Sequence, residues 1–314
     1  MTGRGNNRCM TDLRDRDETH GPSSLPTMPQ QRRGGNGDHG RPALDPDHPA
    51  LYDPAMLERT GSAVRHAAAD LLDGLGFGVR LHGEALSLLR RGRLALPVLT
   101  AQLYFTGVEA LPIVALIALA IGAAVIIQGV SLLPQFGQGE LAYRILILVI
   151  TRELGPLLTA LIVAARSGSA ITTELGNMVV DHEIDAYTAA GIDPVAFLAA
   201  PRLLGVTGAV VLLNLFFNVF GLFGSCAVAS LIHRIPLSTY LGSVVLAMGT
   251  ADVLSSLIKS VLFGVIVATT ATWYGLRVER AVTEVPQKTI KSLGVSMALC
   301  MVASTAVTLL LQAV

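Results

Sequence analysis

The chain has 314 residues, of which 52% are hydrophobic and only 15% charged, and its mean hydropathy is +0.57. An ordinary soluble domain carries about 25% charge, so these proportions exclude one and indicate a membrane protein. The 23 basic and 23 acidic side chains balance, and the basic ones form no aromatic-interleaved stripe, which argues against nucleic-acid binding. Cys9 lies in a polar stretch and Cys226 and Cys300 in apolar runs, so the three cysteines give neither a disulfide framework nor paired zinc-ligand spacing.

Charge is unevenly divided: residues 1–100 hold 25 of the 46 charged side chains, and the 214 residues from Ala101 onward hold 21. Residues 1–55 contain seven of the fifteen prolines and runs such as Arg32-Arg33-Gly34-Gly35, and they read as a disordered polar tail. They hold no apolar core of a secretion signal, and Asp12, Asp15, Asp17 and Glu18 oppose an organelle transit peptide. Residues 56–100 form an amphipathic helical segment. Val64, Ala68, Leu71, Leu72 and Leu75, then Leu81, Ala85, Leu88 and Leu89, recur at helical spacing, interrupted by Gly74, Gly76 and Gly78 and ending in Arg90, Arg91 and Arg93. Such a segment suits the anionic cytoplasmic leaflet; a small soluble helical hairpin is the alternative.

Residues 101–314 predict an all-α integral membrane domain. A bilayer core of about 30 Å needs about 20 apolar helical residues, and five segments qualify: 111–133, 141–165 with an extension to Met178 left open, 203–232, 253–276 and 293–313. The second contains Gly155-Pro156, where the missing amide hydrogen predicts a kink or break. The links 134–140 and 233–240 carry no basic residue and Arg234 alone, whereas Arg80, Arg90, Arg91 and Arg93 precede the first span and Arg277, Arg280, Lys288 and Lys291 fill the fourth link. The bias of basic residues toward the cytoplasm places the N-terminus and the fourth link there, and the C-terminus outside.

The same topology makes the link 179–200 cytoplasmic. Asp181, His182, Glu183, Asp185 and Asp193 surround Ile184, Ala186, Tyr187, Ala189 and Ala190, and Gly191-Ile192-Asp193-Pro194 ends the run. This is the pattern of a short acidic amphipathic helix stopped by glycine and restarted at proline. Held between two spans, it is well placed to receive force from a soluble partner. Asp181 and His182 are two neighbouring metal-ligand types without a third, which is no metal site.

Six runs in one order, Arg152-Glu153-Leu154-Gly155-Pro156, Ala165-Arg166-Ser167-Gly168-Ser169-Ala170, Glu174-Leu175-Gly176-Asn177-Met178, Glu183-Ile184-Asp185-Ala186, Gly191-Ile192-Asp193-Pro194 and Pro201-Arg202, resemble the MlaE-type permease family. Leu257-Ile258-Lys259-Ser260-Val261 is a further matching island. The members are the membrane subunits of ABC transporters that work with MCE-domain proteins on lipids. The resemblance implies a homodimer of five-span chains, each preceded by an interfacial helix. It also implies cytoplasmic ATPase subunits beneath, an MCE-domain ring on the outer face, a phospholipid or similar amphiphile in a cavity at the dimer interface, and a place in a bacterial cytoplasmic (inner) membrane. The ATPase contact would fall on Glu183, Ile184, Asp185, Tyr187 and Asp193.

The chain's only lysines are Lys259, Lys288 and Lys291, and none follows the glycine spacing of a phosphate-binding loop. ATP is therefore expected on a partner, and no cofactor on this chain. Arg152 and Glu153 lie 11 and 12 residues beyond Leu141, about 17 Å into the bilayer, where charge is costly and faces a partner or a wet cavity. Lys259 shares a helix face with Asp252, seven residues away. Two readings follow: buried pairs, Glu153 with Lys259 or Arg152 with Asp252, or a lipid cavity. In the second, Arg152 and Lys259 attract a phosphate head group, and Ile126, Ile127, Leu132 and Leu133 wall the acyl chains. Arg166 falls near the cytoplasmic boundary, where it snorkels or, with Gly168, packs at a helix crossing; Gly155, Pro156, Gly221, Gly224 and Asn214 are likewise packing positions. A multispan lipid enzyme with Glu153 as general base is the competing class, and it lacks a nucleophile or metal cluster at that depth. An ion-coupled carrier predicts inverted repeats, which five spans do not provide.

Overall fold

The computed structural model describes residues 54–91, 96–132, 141–232, 234, 236–279 and 281–313, and for 54–71, 91, 96–98, 130, 132, 141–143, 312 and 313 the backbone alone, so the side chain of Leu132 lies outside it. The expected polar tail, the link 134–140, Leu133, Arg93 and Arg280 lie outside these residues. Among the described residues all regular structure is helical.

The amphipathic segment is one helix, α1 (Pro54–Arg91). Its glycines do not break it. A Cβ on Gly74 or Gly78 would stand 3.6 Å from Trp273 or Thr269, so these glycines are where the helix comes close to the fourth span. Leu81 and Ala85 are buried against the bundle and Phe77 and Leu88 partly so, while Leu72, Leu75, Val79, Leu86 and Leu89 form an exposed apolar stripe beside them. The third side is polar and carries the ties: Arg80 pairs with Asp193 at 2.8 Å and Asp73 with Arg277 at 3.3 Å. Arg277 lies 4.3 Å over the Trp273 ring, which meets Phe77 at 5.1 Å.

Five helical runs are long and apolar enough to cross a membrane: Leu99–Gly129, Arg144–Val180, Val195–Leu231, Thr250–Leu276 and Glu284–Leu311. The chain is thus an all-α membrane protein. The first run starts a dozen residues earlier than its apolar stretch, as α2 (Leu96–Leu103), a π-helical turn at Tyr104–Val108 and then α3 (Leu111–Leu132). Gln102 and Glu109 mask this in the sequence, and both are satisfied locally: Gln102 donates to Thr106 at 2.8 Å and Glu109 pairs with Arg166. The second run is α4 (Leu141–Ile147), a π-helical segment Leu148–Leu154, α5 (Gly155–Val163), a π turn Ala164–Gly168 and α6 (Ser169–Val180). Gly155-Pro156 is accommodated by widening the preceding turn rather than by a break. A short α7 (Glu183–Ala189) leads to the third run, which starts at Val195 because Pro194 presets a helical φ; a π turn Val195–Ala199 continues into α8 (Ala200–Leu231). After α9 (Leu237–Ala247), α10 (Thr250–Leu276) and α11 (Glu284–Ala313) complete the set.

Packing fixes the direction of each span. Gly107 faces Ala209 and Gly122 faces Gly221, so the first and third spans run parallel. Gly168 faces Val267, and Thr172 donates to the Ala271 carbonyl at 3.1 Å, so the second and fourth are parallel too. Asn214 donates to Ser256 while Gly264 faces Thr207, which makes the third and fourth antiparallel. Backbones approach closely where side chains are absent: a Cβ on Gly122 would stand 2.0 Å from the Gly221 carbonyl oxygen, and one on Gly224 2.6 Å from that of Leu119. Such contacts replace the hydrophobic drive that is missing between helices in lipid. α11 packs differently, through a seam of Ser292, Ser296, Cys300 and Ser304, with Leu299, Met301, Val302, Leu309 and Leu310 facing out.

Candidate functional site: an intramembrane charge cluster

Pro156 has no amide hydrogen, so a carbonyl one turn back loses its helical partner. The Gly155 amide donates to the Ile150 carbonyl, five residues earlier, which is the widened π turn. The Arg152 carbonyl is then open to the neighbouring helix, and Lys259 Nζ donates to it at 3.1 Å. The same ammonium donates to Glu153 Oε1 at 2.8 Å and to Thr308 Oγ1 at 2.8 Å. An ammonium has three donors, so Lys259 is saturated, and its side chain is 0% exposed.

Glu153 is its counter-ion and is held from a third helix: Thr308 Oγ1 lies 3.0 Å from Oε1, and Ser304 donates to Oε2 at 3.3 Å. Its side chain remains 35% exposed. Spans two, four and five therefore meet at one ion pair, and the exposed member is the acid. Ser304 and Thr308 escaped the sequence reading. Their signal is the recurrence of small polar residues every four positions, Ser292, Ser296, Cys300, Ser304 and Thr308, in the last apolar run.

Arg152 is the contrasting cation. Its NH1 lies 3.9 Å from Asp252 Oδ1, an ion-pair contact too long for a hydrogen bond, and its Nε is buried without a partner. Asp252 itself accepts the Gly249 amide at 3.0 Å, capping α10. Both pairs named as alternatives from the sequence are present together, one saturated and one open.

Beside the cluster Asn214 donates across to Ser256 Oγ at 2.9 Å, and a Cβ on Gly155 would stand 2.9 and 3.0 Å from the side-chain oxygens of Asn214 and Asn218. Gly155 thus admits the third span to the π turn. Arg166 donates to the Phe105 carbonyl at 2.7 Å, stacks 4.7 Å over that ring and pairs with Glu109, clamping the first and second spans together. A Cβ on Gly168 would stand 3.3 Å from Val267, a helix crossing. Ile126 and Ile127 belong to the first span, which takes no part in the ion pairs of the cluster. They lie one turn beyond the Gly122 crossing, Ile126 fully buried and Ile127 exposed.

At the other end of the spans, His182 in a left-handed conformation (φ 58°) turns the chain into α7. Glu183 and Asp185 are exposed, whereas Tyr187 rests on Phe197 with ring centroids 5.6 Å apart. Asp193 is already engaged, by Arg80 and by the Val195 amide at 3.1 Å. Arg202 pairs with Glu174 at 2.7 Å.

The model of the family described as Permease MlaE matches residues 99–310. The chain belongs to the MlaE permease family. It is similar to a probable ABC transporter permease protein of Rickettsia typhi, 31% identical over 61% of this chain and 74% of the relative. It is also 30% identical to the intermembrane phospholipid transport system permease protein MlaE of Haemophilus influenzae, over 57% of this chain and 68% of that protein. Protein TRIGALACTOSYLDIACYLGLYCEROL 1, chloroplastic, of Arabidopsis thaliana is 29% identical over 62% of this chain and 55% of its own length. The MlaE match takes in all five membrane-spanning runs and the charge cluster, and it leaves out α1.

Proposed function

We propose that the chain is the membrane-spanning subunit of an ATP-driven transporter that moves phospholipids or similar amphiphiles between membranes. The carrying observation is the charge cluster. In a chain of this family, an arginine with unfilled hydrogen-bond donors stands at mid-membrane beside a partly exposed carboxylate, where an amphiphile's head group would sit. Two copies form a homodimer with the clusters facing a shared cavity. The protein has three parts: a polar tail over 1–55, an interfacial helix over 56–100 and a permease domain over 101–314. α1 lies on the cytoplasmic leaflet on its exposed apolar stripe, and the C-terminus ends outside in a bacterial inner membrane. An MCE-domain protein on the outer face exchanges lipid with the cavity.

ATP is bound and hydrolysed by a separate cytoplasmic subunit, which contacts the link 179–200. Support comes from a cavity of about 440 Å³ lined by Val179, Ile184, Asp185, Leu276, Val278 and Glu279, which joins α7 to the end of the fourth span. Glu183, Ile184, Asp185 and Tyr187 form the contact, while Asp193 keeps the turn in register with α1. Co-purification tests this reading. The complex with a Walker-type ATPase is expected to survive extraction and to be lost on Glu183→Lys with Asp185→Lys. A lone chain that modifies lipid without nucleotide would overturn it in favour of an enzyme with Glu153 as base.

A further inference from the structure

The cluster also specifies what kind of head group it takes. This step rests on the transport reading above and narrows it. Three quantities decide it: which charges are exposed, which donors are free and which acceptors are free.

Lys259 contributes nothing to a ligand. Its three N–H groups end on Arg152 O, Glu153 Oε1 and Thr308 Oγ1, and its side chain has no exposed surface. The phosphate-attracting role read for it from sequence is therefore already filled by protein oxygens. Arg152 is the opposite case. A guanidinium has five N–H donors, and among the described residues that of Arg152 has no hydrogen-bond partner, only the long contact to Asp252 at 3.9 Å. Its side chain is 16% exposed. Glu153 is intermediate: a carboxylate offers about four acceptor sites, three are taken by Lys259, Thr308 and Ser304, and 35% of the side chain is exposed.

The exposed groups of the cluster are thus one cation, Arg152, and two carboxylates, Glu153 and Asp252, the latter 20% exposed. Lys259 offsets the charge of Glu153, so the discrimination lies in unfilled capacity: a head group carrying only a negative charge would use the donors of Arg152 and leave the remaining acceptor sites of Glu153 without a cation. One carrying both signs would place phosphate on Arg152 and a donor cation on the free capacity of Glu153. We infer that the site selects zwitterionic lipids, which bear a phosphate and an ammonium, over lipids whose head group is anionic alone.

The test uses the full chain with its ATPase partner, in nanodiscs holding equal amounts of phosphatidylethanolamine and phosphatidylglycerol with matched acyl chains. Lipids retained on extraction are counted by native mass spectrometry. The expected wild-type ratio favours phosphatidylethanolamine by about fivefold, which corresponds to about 1 kcal/mol. Glu153→Gln keeps an acceptor for Lys259 and should bring the ratio near one. Arg152→Gln should lower retention of both lipids and leave the ratio in place. Should Glu153→Gln fail to assemble, Glu153→Gln with Lys259→Met removes both members of the buried pair, and the same loss of preference is expected. Equal retention in the wild type, an excess of phosphatidylglycerol, or a ratio unmoved by both Glu153 variants would overturn the inference and leave the transport reading standing. A complex that forms with the ATPase and retains no lipid would overturn both.

Discussion

Lys259 and Arg152 meet from neighbouring helices, yet they are different kinds of charge. Lys259 sits on α10 with every donor filled and no surface exposed; Arg152 sits on the π segment of the second span with its donors unfilled. A lysine is a point charge that three oxygens can satisfy, whereas a guanidinium spreads five donors over a plane and is harder to saturate inside a bundle. Buried charges are therefore not interchangeable markers of a binding site. One joins three helices and the other keeps its side-chain donors unfilled.

Breaking the saturated pair should have the largest effect. Glu153→Ala leaves Lys259 buried without a counter-ion. The loss of stability is about 3 kcal/mol, the lower end for a broken buried pair because Glu153 is 35% exposed. Lipid transfer should disappear while the ATPase complex still forms in the cold, with a lowered thermal transition. Arg152→Gln removes no hydrogen bond, so the thermal transition should hardly move. Lipid transfer in reconstituted vesicles should fall about tenfold to a hundredfold, the equivalent of one charge-assisted contact. An equal drop in stability for both variants would erase the distinction between the two cations.

Smaller changes sharpen it. Thr308→Val keeps shape and removes the hydroxyl that bridges Lys259 and Glu153. A cost of about 1 kcal/mol is expected, in the range of interhelical hydrogen bonds in membranes, with Thr308→Ser restoring the wild-type melting curve. Asp252→Asn should be the mildest. Asn still accepts the Gly249 amide, and the substitution weakens only the 3.9 Å approach to Arg152. Transfer rates should stay within about twofold of wild type, as for a weak ion pair.

The element type of every span was legible from sequence because apolar runs of this length have no other stable outcome. Their ends were not. Gln102 and Glu109 precede the first apolar run, and Lys288 and Lys291 fall in the expected fourth link, but within a bundle Gln102 finds Thr106, Glu109 finds Arg166 and Lys291 lies over Tyr274 at 5.8 Å. The same limit applies to the site. Arg152, Glu153, Asp252 and Lys259 stand out because charge is rare there, whereas Ser304 and Thr308 are ordinary residues in an apolar helix whose importance depends on which helix faces them. Likewise, Asp193 matches the acidic cluster in composition and differs from Glu183 only because Arg80, more than a hundred residues away, folds onto it.

Pro156 makes no polar contact with the cluster, yet it sets how many acceptors Lys259 finds, because it frees the Arg152 carbonyl. Replacing it with alanine would restore an amide hydrogen aimed one turn back, in competition with Lys259 for the Arg152 carbonyl. The helix would become more regular, and one N–H of the ammonium would be released toward the cavity. Regularity and selectivity should then move in opposite directions: a stabler second span, and a site that begins to accept purely anionic lipids. If the proposed selectivity holds, an irregularity of the main chain would act as a charge filter, and a lineage could retune its lipid by repairing a helix rather than by exchanging a charged side chain.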